Sequence, residues 1–232
     1  MSGEGEGAGE GGQATRILAI RHGETAWNVL GRIQGQLDEP LNDTGRWQAQ
    51  RLAGAVADDG IAAIYSSDLL RALETAQAVA RGGDRPVTTD IGLRERAFGV
   101  FQGLTFDEIR ARWPDQAERW RKRDADFGAE GGETLRAFYE RSVAAVERLA
   151  ALHPGQTIAV VSHGGVMDCL YRAATHLALD APRSWQLGNA SINRLLYTAS
   201  GLSLIGWSDA HHLDEGALDE FTDTGAAKAR VA

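Results

Sequence analysis

Between residues 15 and 215, short runs rich in β-branched residues alternate along the chain with longer amphipathic runs. This alternation restricts the fold more than any other feature, because it is typical of a parallel β-sheet covered by helices. The last two strands are joined by a short loop and are predicted to form an antiparallel hairpin at one edge of the sheet. In all, six strands are predicted, at residues 16–20, 61–66, 86–90, 157–162, 192–198 and 202–207.

Longer amphipathic runs fit as helices between these strands, at residues 41–60, 67–83, 133–155 and 164–179. In the first of them, the spacing of Trp47, Leu52 and Val56 predicts one buried helix face. Residues 96–132 are irregular and rich in Arg, Trp, Asp and Gly, and we expect short helices and loops that lie over the sheet. The predicted fold class is therefore α/β: a single-domain three-layer sandwich with a mostly parallel sheet and helices on both faces.

Length and composition fit one ordinary domain, since the 232 residues are 43% hydrophobic and 24% charged. Residues 1–14 are mainly Gly, Glu and Ala without a large apolar side chain beyond the initial methionine, so we expect a disordered acidic tail there. Residues 222–232 similarly predict a flexible carboxyl-terminal tail. The folded domain is thus predicted to span residues 15–221.

The net charge of -8 argues against a general affinity for nucleic acid or for an acidic membrane surface. The sequence has neither an apolar run of membrane-spanning length nor a signal-peptide pattern, and its single cysteine, Cys169, forms no internal disulfide. We therefore expect a cytoplasmic protein that binds neither nucleic acid nor membrane.

Unusual polar residues follow three of the strands that are predicted to be parallel. Arg21 and His22 end the first, Arg71 falls in the first turn of the helix after the second, and His163 follows the fourth. Ligands of open α/β sheets bind outside the carboxyl ends of the strands, so these side chains are predicted to share one pocket.

Two arginines and the starts of helices are suited to phosphate, because they combine fixed donors with a favourable dipole. A neutral histidine in such a site can attack phosphorus and form a covalent intermediate. The rigid strand before His22 makes it the candidate, and the nearby charges of Arg21 and Arg71 disfavour its protonation. Gly23 is predicted to permit a close approach of backbone or ligand.

The motifs together resemble the histidine phosphatase superfamily, also called phosphoglycerate mutase-like, and within it the shorter bacterial phosphatase branch. The resemblance spans most of residues 15–215. It is carried by RHGETAWNVLGRIQGQLDEPLNDTGRWQA (21–49), SSDLLRALETA (66–76), LRERAFGVFQG (93–103), GGETL (131–135) and SHGGVM (162–167).

The resemblance implies that His22 accepts the phosphoryl group and that Arg21, Arg71 and His163 complete the phosphate pocket. It implies that Glu95 protonates the leaving alcohol and later accepts a proton from water. Such a carboxylic acid contributes roughly 100- to 10,000-fold to the rate.

Further residues match substrate-binding positions of the family. Asn28 corresponds to a residue that hydrogen-bonds the phosphate, Gln34 and Gly35 to a loop that lines the site, and Gly164 to the residue after the second histidine. From the residues alone, Asn28 and Gln34 are also compatible with a turn cap and a solvent-facing side chain. The resemblance implies no metal and no cofactor, and the expected partner is a small phosphorylated metabolite.

A phosphatase of small phosphate monoesters is the favoured function. The resemblance implies that mutases of this superfamily are longer chains, with a larger insertion after the acid and with a lysine and paired arginines that hold the second charged group. Here only about 38 residues separate Glu95 from Glu133, and no lysine precedes Lys122. A mutase and a catalytically silent phosphate-binding protein remain the alternatives.

For two further groups of residues, the sequence is compatible with two roles each. The run RWRKRD, residues 119–124, fits either a site for the anionic end of a substrate or a solvated helix face. Trp113, Trp120, Val100 and Phe101 fit a homodimer interface as well as a lid. The adjacent His211 and His212 have no second cluster at ligand spacing, which argues against a metal site.

Overall fold

The centre of the fold is a six-stranded sheet in which the strands lie in the order third, second, fourth, first, fifth and sixth. The first four in this order are parallel to one another, and the fifth strand is antiparallel to both of its neighbours, the first and the sixth. The computed structural model describes residues 13–81, 83 and 85–214. All six predicted strands are present, and the predicted edge hairpin is confirmed. The strands are β1 (Thr15–Arg21), β2 (Ile61–Ser66), β3 (Val87–Thr89), β4 (Thr157–Ser162), β5 (Ile192–Thr198) and β6 (Gly201–Asp209).

Helices begin soon after the parallel strands end, as the alternation of the sequence predicts. The helices are α1 (Ala26–Val29), α2 (Asp43–Ala55), α3 (Leu70–Arg81), α4 (Phe106–Arg112), α5 (Pro114–Arg121), α6 (Leu135–Ala150) and α7 (Gly164–Thr175). Short 3-10 turns lie at Ile91–Leu93, Gly99–Phe101 and His211–Leu213. At the start of α2, the side-chain oxygen of Asn42 accepts a hydrogen bond of 2.8 Å from the N–H of Gly45.

The sheet is covered on both faces, so the predicted three-layer sandwich is confirmed. Alternate residues of β1 point to opposite sides: Ile17 joins the core formed with α6 and α7, and Leu18 joins the core formed with α2 and α3. Every residue of β4 is buried, which is why the central strands read as continuous apolar runs rather than alternating ones.

One predicted core residue of α2 is misplaced. Leu52 and Val56 are buried, but Trp47 is 38% exposed. The buried face of the helix is formed instead by Gly45, Ala49 and Leu52, whose spacing of four and three residues follows one side of a helix. Trp47 lies on the opposite side.

Residues 96–132, here called the cover, form the expected short helices and loops, and they also have a small core of their own that the sequence did not predict. They contain α4 and α5, and the core consists of Phe101, Ile109, Ala117, Phe127 and Ala129. Hydrogen bonds attach the cover to the chain after β1: the N–H of Ile33 donates to Leu104 and the N–H of Gly103 donates to Ile33.

Within the described residues, no helix has the length and apolar character needed to cross a membrane. The tails predicted at 1–14 and 222–232 lie outside the described residues, apart from Gln13 and Ala14, and so do residues 215–221 of the predicted domain. These boundaries stay predictions.

The two glycines of α2 predict opposite effects of the same substitution. A Cβ at Gly45 would lie 2.0 Å from the backbone oxygen of Glu24, so Gly45→Ala is expected to lower the free energy of unfolding by about 1–3 kcal/mol. A Cβ at Gly54 meets no atom within 4 Å, so Gly54→Ala is expected to raise it by about 0.4–1 kcal/mol. Urea unfolding at equilibrium measures both, and equal effects would contradict the close packing of α2 on the segment after β1.

Candidate active site

A cavity of about 190 Å³ opens at the carboxyl ends of β1 and β4. The parallel register of these strands pairs Arg21 with Ser162, so the residues that follow, His22 and His163, emerge side by side. Their ring centroids are 5.3 Å apart. The residues that line the cavity are Arg21, His22, Asn28, Arg32, Ile33, Gln34, Gly35, Arg71, Glu95, Phe98 and Gly164.

The hydrogen bonds of His22 determine which ring nitrogen faces a ligand. Its backbone N–H donates to the carbonyl of Ser162 at 2.9 Å, which continues the sheet by one residue. The ring Nδ1 lies 2.7 Å from the carbonyl oxygen of Gly23. Because a carbonyl only accepts, Nδ1 must carry the hydrogen, and in the neutral ring this leaves the lone pair on Nε2.

The environment keeps the His22 ring neutral. The side chain is buried, and burial lowers its pKa well below the ordinary value of 6.5, with further lowering by the charges of Arg71 and Arg21. The imidazole therefore retains a free lone pair at neutral pH, which is the form that a nucleophile requires.

His163 is the cap residue before α7 and is completely buried. Among the described residues, neither of its ring nitrogens has a hydrogen-bond partner. Burial again lowers the pKa of the His163 ring well below 6.5, and the charges of Arg71, His22 and Arg21 lower it further. His163 lies beside His22 but does not line the cavity, so the structure brings three of the four side chains predicted to share the pocket, Arg21, His22 and Arg71, to its wall.

Arg71 is fully buried and is held by two backbone carbonyls. Its Nη2 donates to Gly35 and its Nη1 donates to Leu37, both at 2.8 Å. Burial lowers its pKa to about 10, which still leaves the guanidinium charged at neutral pH. Its Nε has no partner among the described residues and remains available.

Gly35 has a conformational reason to be glycine. Its φ is +53°, and a Cβ there would lie 2.2 Å from the side-chain oxygen of Gln102. The turn allows its carbonyl to reach Arg71. Gln34, directly before it, is mostly buried, and its Oε1 has no partner among the described residues.

Arg21 and Gly164 form the side of the cavity nearest to α7. A Cβ on Gly164 would lie 3.4 Å from the Nε of Arg21, so the small residue allows this approach. Arg21 donates through Nη1 to the carbonyl of Leu187, and burial lowers the pKa of its guanidinium. Its Nε has no partner among the residues described.

Asn28 both caps a helix and lines the cavity. Its Oδ1 accepts hydrogen bonds from the N–H and the hydroxyl of Thr25, each at 3.1 Å, and from Nδ2 of Asn189 at 3.2 Å. With the acceptor engaged in this way, the donor group Nδ2 of Asn28 is available to a ligand.

Glu95 reaches the cavity from the segment between β3 and the cover. Its Oε2 accepts from the N–H of Gly165 at 2.9 Å, in the first turn of α7, and its Oε1 accepts from the N–H of Arg96 at 2.8 Å. A Cβ on Gly165 would lie 2.2 Å from Oε1 of Glu95. The second glycine of the SHGG motif therefore makes room for the carboxyl group.

Gly23 also permits a close approach, but to backbone rather than to a ligand. A Cβ there would lie 2.5 Å from the carbonyl oxygen of Gly45. The expectation of a tight contact is confirmed, and its partner is the start of α2.

Sequence reasoning missed several residues at the site. Asn189 donates through Nδ2 to the carbonyl of His22 at 3.0 Å, and Arg32, Ile33 and Phe98 line the cavity. The signal for Asn189 lies in the predicted hairpin: a strand antiparallel to β1 begins at the edge where β1 ends. The other three residues belong to segments without regular periodicity.

The RWRKRD run does not line the cavity. The cations of Arg119 and Arg121 pair with Asp124 and Glu118 at 2.8 and 2.7 Å. Trp120 packs against the aromatic rings of Phe98, Phe101 and Phe106. Lys122 also pairs with Glu118, and Arg123 pairs with Asp168. These contacts favour a structural role of the run over binding of a substrate anion.

The fold and the cavity together define an α/β protein with two neighbouring buried histidines and two arginines gathered where its parallel strands end. Residues 17–210 match the model of the histidine phosphatase superfamily (branch 1), and the chain belongs to this superfamily.

Relatives with mutase and phosphatase names are both similar to the chain. Phosphoglycerate mutase-like protein 4 of Arabidopsis thaliana is 40% identical over 203 residues, which cover 86% of this chain and 87% of the relative. The metal-independent phosphoserine phosphatase of the same plant is 35% identical over 204 residues, which cover 87% and 84%. The mycobacterial glucosyl-3-phosphoglycerate phosphatase, solved in complex with VO3, superimposes with a TM-score of 0.76 at 33% identity, covering 84% of this chain and 99% of that chain.

The lowered pKa values of the buried histidines predict that the protein loses stability in mild acid. Below about pH 6.5 the unfolded chain binds protons at His22 and His163 that the folded chain does not bind, so the free energy of unfolding falls as the pH is lowered. Each histidine is expected to contribute up to about 1.4 kcal/mol per pH unit. Urea unfolding between about pH 7 and pH 5 measures this slope.

His163→Gln is expected to remove about a third to a half of the slope, because burial also lowers the pKa of His212, which contributes in the same direction. The exposed His176 has a φ of +55°, which asparagine tolerates, so His176→Asn is the control and should retain the full slope. An unchanged slope in His163→Gln would contradict the assigned cause.

Proposed function

We propose that this protein is a phosphatase that hydrolyses small phosphate monoesters through a phosphohistidine on His22. The observation that carries the proposal is the contact between Nδ1 of His22 and the carbonyl of Gly23, because it leaves the lone pair on Nε2 in a cavity lined by two arginines, Arg21 and the buried Arg71. The chemistry is that of a phosphoric monoester hydrolase of the histidine acid phosphatase type.

In the first step, the lone pair of Nε2 forms a bond to phosphorus, and the bond between phosphorus and the ester oxygen breaks. The electron pair goes to the leaving oxygen, which takes the proton of the Glu95 carboxylic acid. The released product is a neutral alcohol, and Glu95 becomes a carboxylate.

In the second step, a water attacks the phosphohistidine from the side that the alcohol has left. The Glu95 carboxylate removes one proton from that water, the bond between phosphorus and Nε2 breaks, and inorganic phosphate leaves. His22 and protonated Glu95 are regenerated. No metal ion is required, because the histidine supplies the nucleophile and the arginines supply the positive charge.

The charged phosphoryl group is held by Arg21, Arg71 and His163 in this proposal. The free Nε atoms of both arginines and the unpartnered ring nitrogens of His163 support it. These donors offset the negative charge that spreads over the phosphoryl oxygens in the transition state.

A second set of residues completes the substrate site in the proposal. Nδ2 of Asn28 donates to a phosphoryl oxygen, and Gln34, Gly35 and Gly164 form the wall beside the ester. Each of the four lines the cavity.

The names of two relatives, one a phosphoserine phosphatase and one a glucosyl-3-phosphoglycerate phosphatase, favour hydrolysis over a mutase reaction. The cover contributes no lysine to the cavity, since Lys122 pairs with Glu118 at 3.3 Å and lies away from the cavity lining. A mutase must keep water from the phosphohistidine until the phosphoryl group returns to the substrate, whereas a phosphatase must admit one.

Replacing the nucleophile tests the proposal directly. His22→Ala is expected to reduce release of phosphate from 3-phosphoglycerate and from a panel of phosphorylated metabolites by on the order of 10,000-fold or more. Denaturing gels after brief incubation with labelled substrate are expected to show a phosphoenzyme in the wild type only. Unchanged turnover in His22→Ala would refute the nucleophile, and isomerised product with little free phosphate would establish the mutase instead.

The role of Glu95 predicts a dependence on the leaving group. Glu95→Gln removes the proton donor, so kcat for an alkyl phosphate is expected to fall by about 100- to 10,000-fold. The first step with p-nitrophenyl phosphate needs no such proton, and trapping of phosphoenzyme from this ester is expected to change by less than about 10-fold. Single-turnover kinetics with both esters measures the contrast, and equal losses would argue against an acid role.

A further inference from the structure

The guanidinium of Arg141, on α6, contacts the backbone on both sides of the proposed acid. Its Nη1 donates to the carbonyls of Gly92 at 2.8 Å and Arg94 at 3.1 Å, and its Nη2 lies 3.4 Å from the carbonyl of Glu95. One planar group thus serves three carbonyls within four residues. The ammonium group of a lysine at this position would not offer the same planar set of donors.

Glu133 holds the Arg141 guanidinium and the end of the same segment. Its two carboxylate oxygens accept from Nε and Nη2 of Arg141, each at 2.8 Å. Oε2 also accepts from the N–H of Ala97 at 2.9 Å, and the N–H of Glu133 donates to the carbonyl of Ala97 at 2.8 Å. The carbonyl of Glu133 accepts from Nε of Arg96 at 3.0 Å. Contacts from this pair therefore reach residues 92 through 97.

The pair is partly shielded from solvent. The side chains of Arg141 and Glu133 are 26% and 23% exposed. Burial opposes ionisation of Glu133, but hydrogen bonds from Arg141 and Ala97 outweigh it, so the pKa of this carboxyl lies below its ordinary value. A bidentate arginine–carboxylate pair of this kind has a defined geometry, unlike most surface ion pairs.

Neither side chain lines the active-site cavity. They act on Glu95 only through its backbone, while the Glu95 carboxyl itself reaches across to the N–H of Gly165. The catalytic effect of a proton donor depends on its placement, and a shift of about 1 Å can cost roughly 100-fold. The pair of Arg141 and Glu133, here called the clamp, therefore contacts the backbone around the proposed acid and lies outside the cavity that would hold the substrate.

We propose that Glu133 and Arg141 are positioning residues that hold the backbone of residues 92–97, and thereby direct Glu95 at the leaving oxygen. The inference rests on the proposed role of Glu95 as the acid. It assigns a task to Glu133 of the GGETL motif, for which sequence analysis names no role.

The test compares two esters in the full-length protein. Arg141→Ala is expected to lower kcat for an alkyl phosphate such as glycerol 2-phosphate by about 10- to 100-fold, and phosphoenzyme formation from p-nitrophenyl phosphate by less than about 3-fold. KM for both esters should change little, because the arginine does not contact substrate. Arg136 lies on the same helix, and within the part of the chain that the structure describes its side chain pairs only with Asp126 on the surface. Arg136→Ala is therefore the matched control and should behave as the wild type.

A general loss of structure would lower the rates of both esters together, and that result would overturn the proposal. Adding Arg141→Ala to Glu95→Gln should cause no further selective loss on the alkyl ester, because the acid that it positions is already absent. An additional selective loss in the double variant would also overturn the positioning role.

Two conservative variants extend the test if Arg141→Ala folds poorly. Arg141→Lys keeps the charge but not the fork, and Glu133→Gln keeps an acceptor for the N–H of Ala97 but not the ion pair, so both should show the same selectivity in weaker form. Wild-type rates on both esters would overturn the proposal. If Glu95→Gln is selective and these variants are not, the proposed function stands and the clamp fails; a wild-type protein inactive on both esters would refute both.

Discussion

The parallel pairing of β1 with β4 is the interaction on which the rest of the site depends. Its register places Arg21 opposite Ser162, and the hydrogen bond from the N–H of His22 to Ser162 extends the pairing to the first site residue. A shift by one residue would turn each side chain to the other face of the sheet and separate the two histidines. In the observed register, Ile17 to Ile20 of β1 and every residue of β4 are buried.

Burial of so many polar groups in one place is unfavourable for the fold and useful for the chemistry. Burial lowers the pKa of His22 and of His163, so both rings stay neutral beside two cations. Arg71 keeps its charge because its pKa falls only to about 10, and backbone carbonyls replace the water that it loses. The same desolvation that weakens the fold in acid keeps the proposed nucleophile, His22, unprotonated.

The proposed acid is held differently from the proposed nucleophile. His22 follows a central strand, whereas Glu95 belongs to a segment outside the sheet that Arg141 and Glu133 connect to α6. Its carboxyl then meets the first turn of α7, which begins directly after β4. The positions of both His22 and Glu95 thus depend on β4. His22 is held by the pairing of β1 with β4, and Glu95 contacts the start of the helix that follows β4.

The sequence by itself determined the class of fold and most of the residues that line the cavity, with Arg32, Ile33 and Phe98 as the exceptions. Three strands, at 61–66, 157–162 and 192–198, have the predicted bounds because a strand buried in the sheet needs a local run of apolar and β-branched residues. The tertiary structure alone decided the contacts between distant segments. Trp47 faces outward because helix packing selects Gly45 and Ala49, and the bond from Asn189 to His22 joins residues 167 positions apart. Such contacts depend on how elements pack, and local periodicity carries no information about which partner a side chain meets.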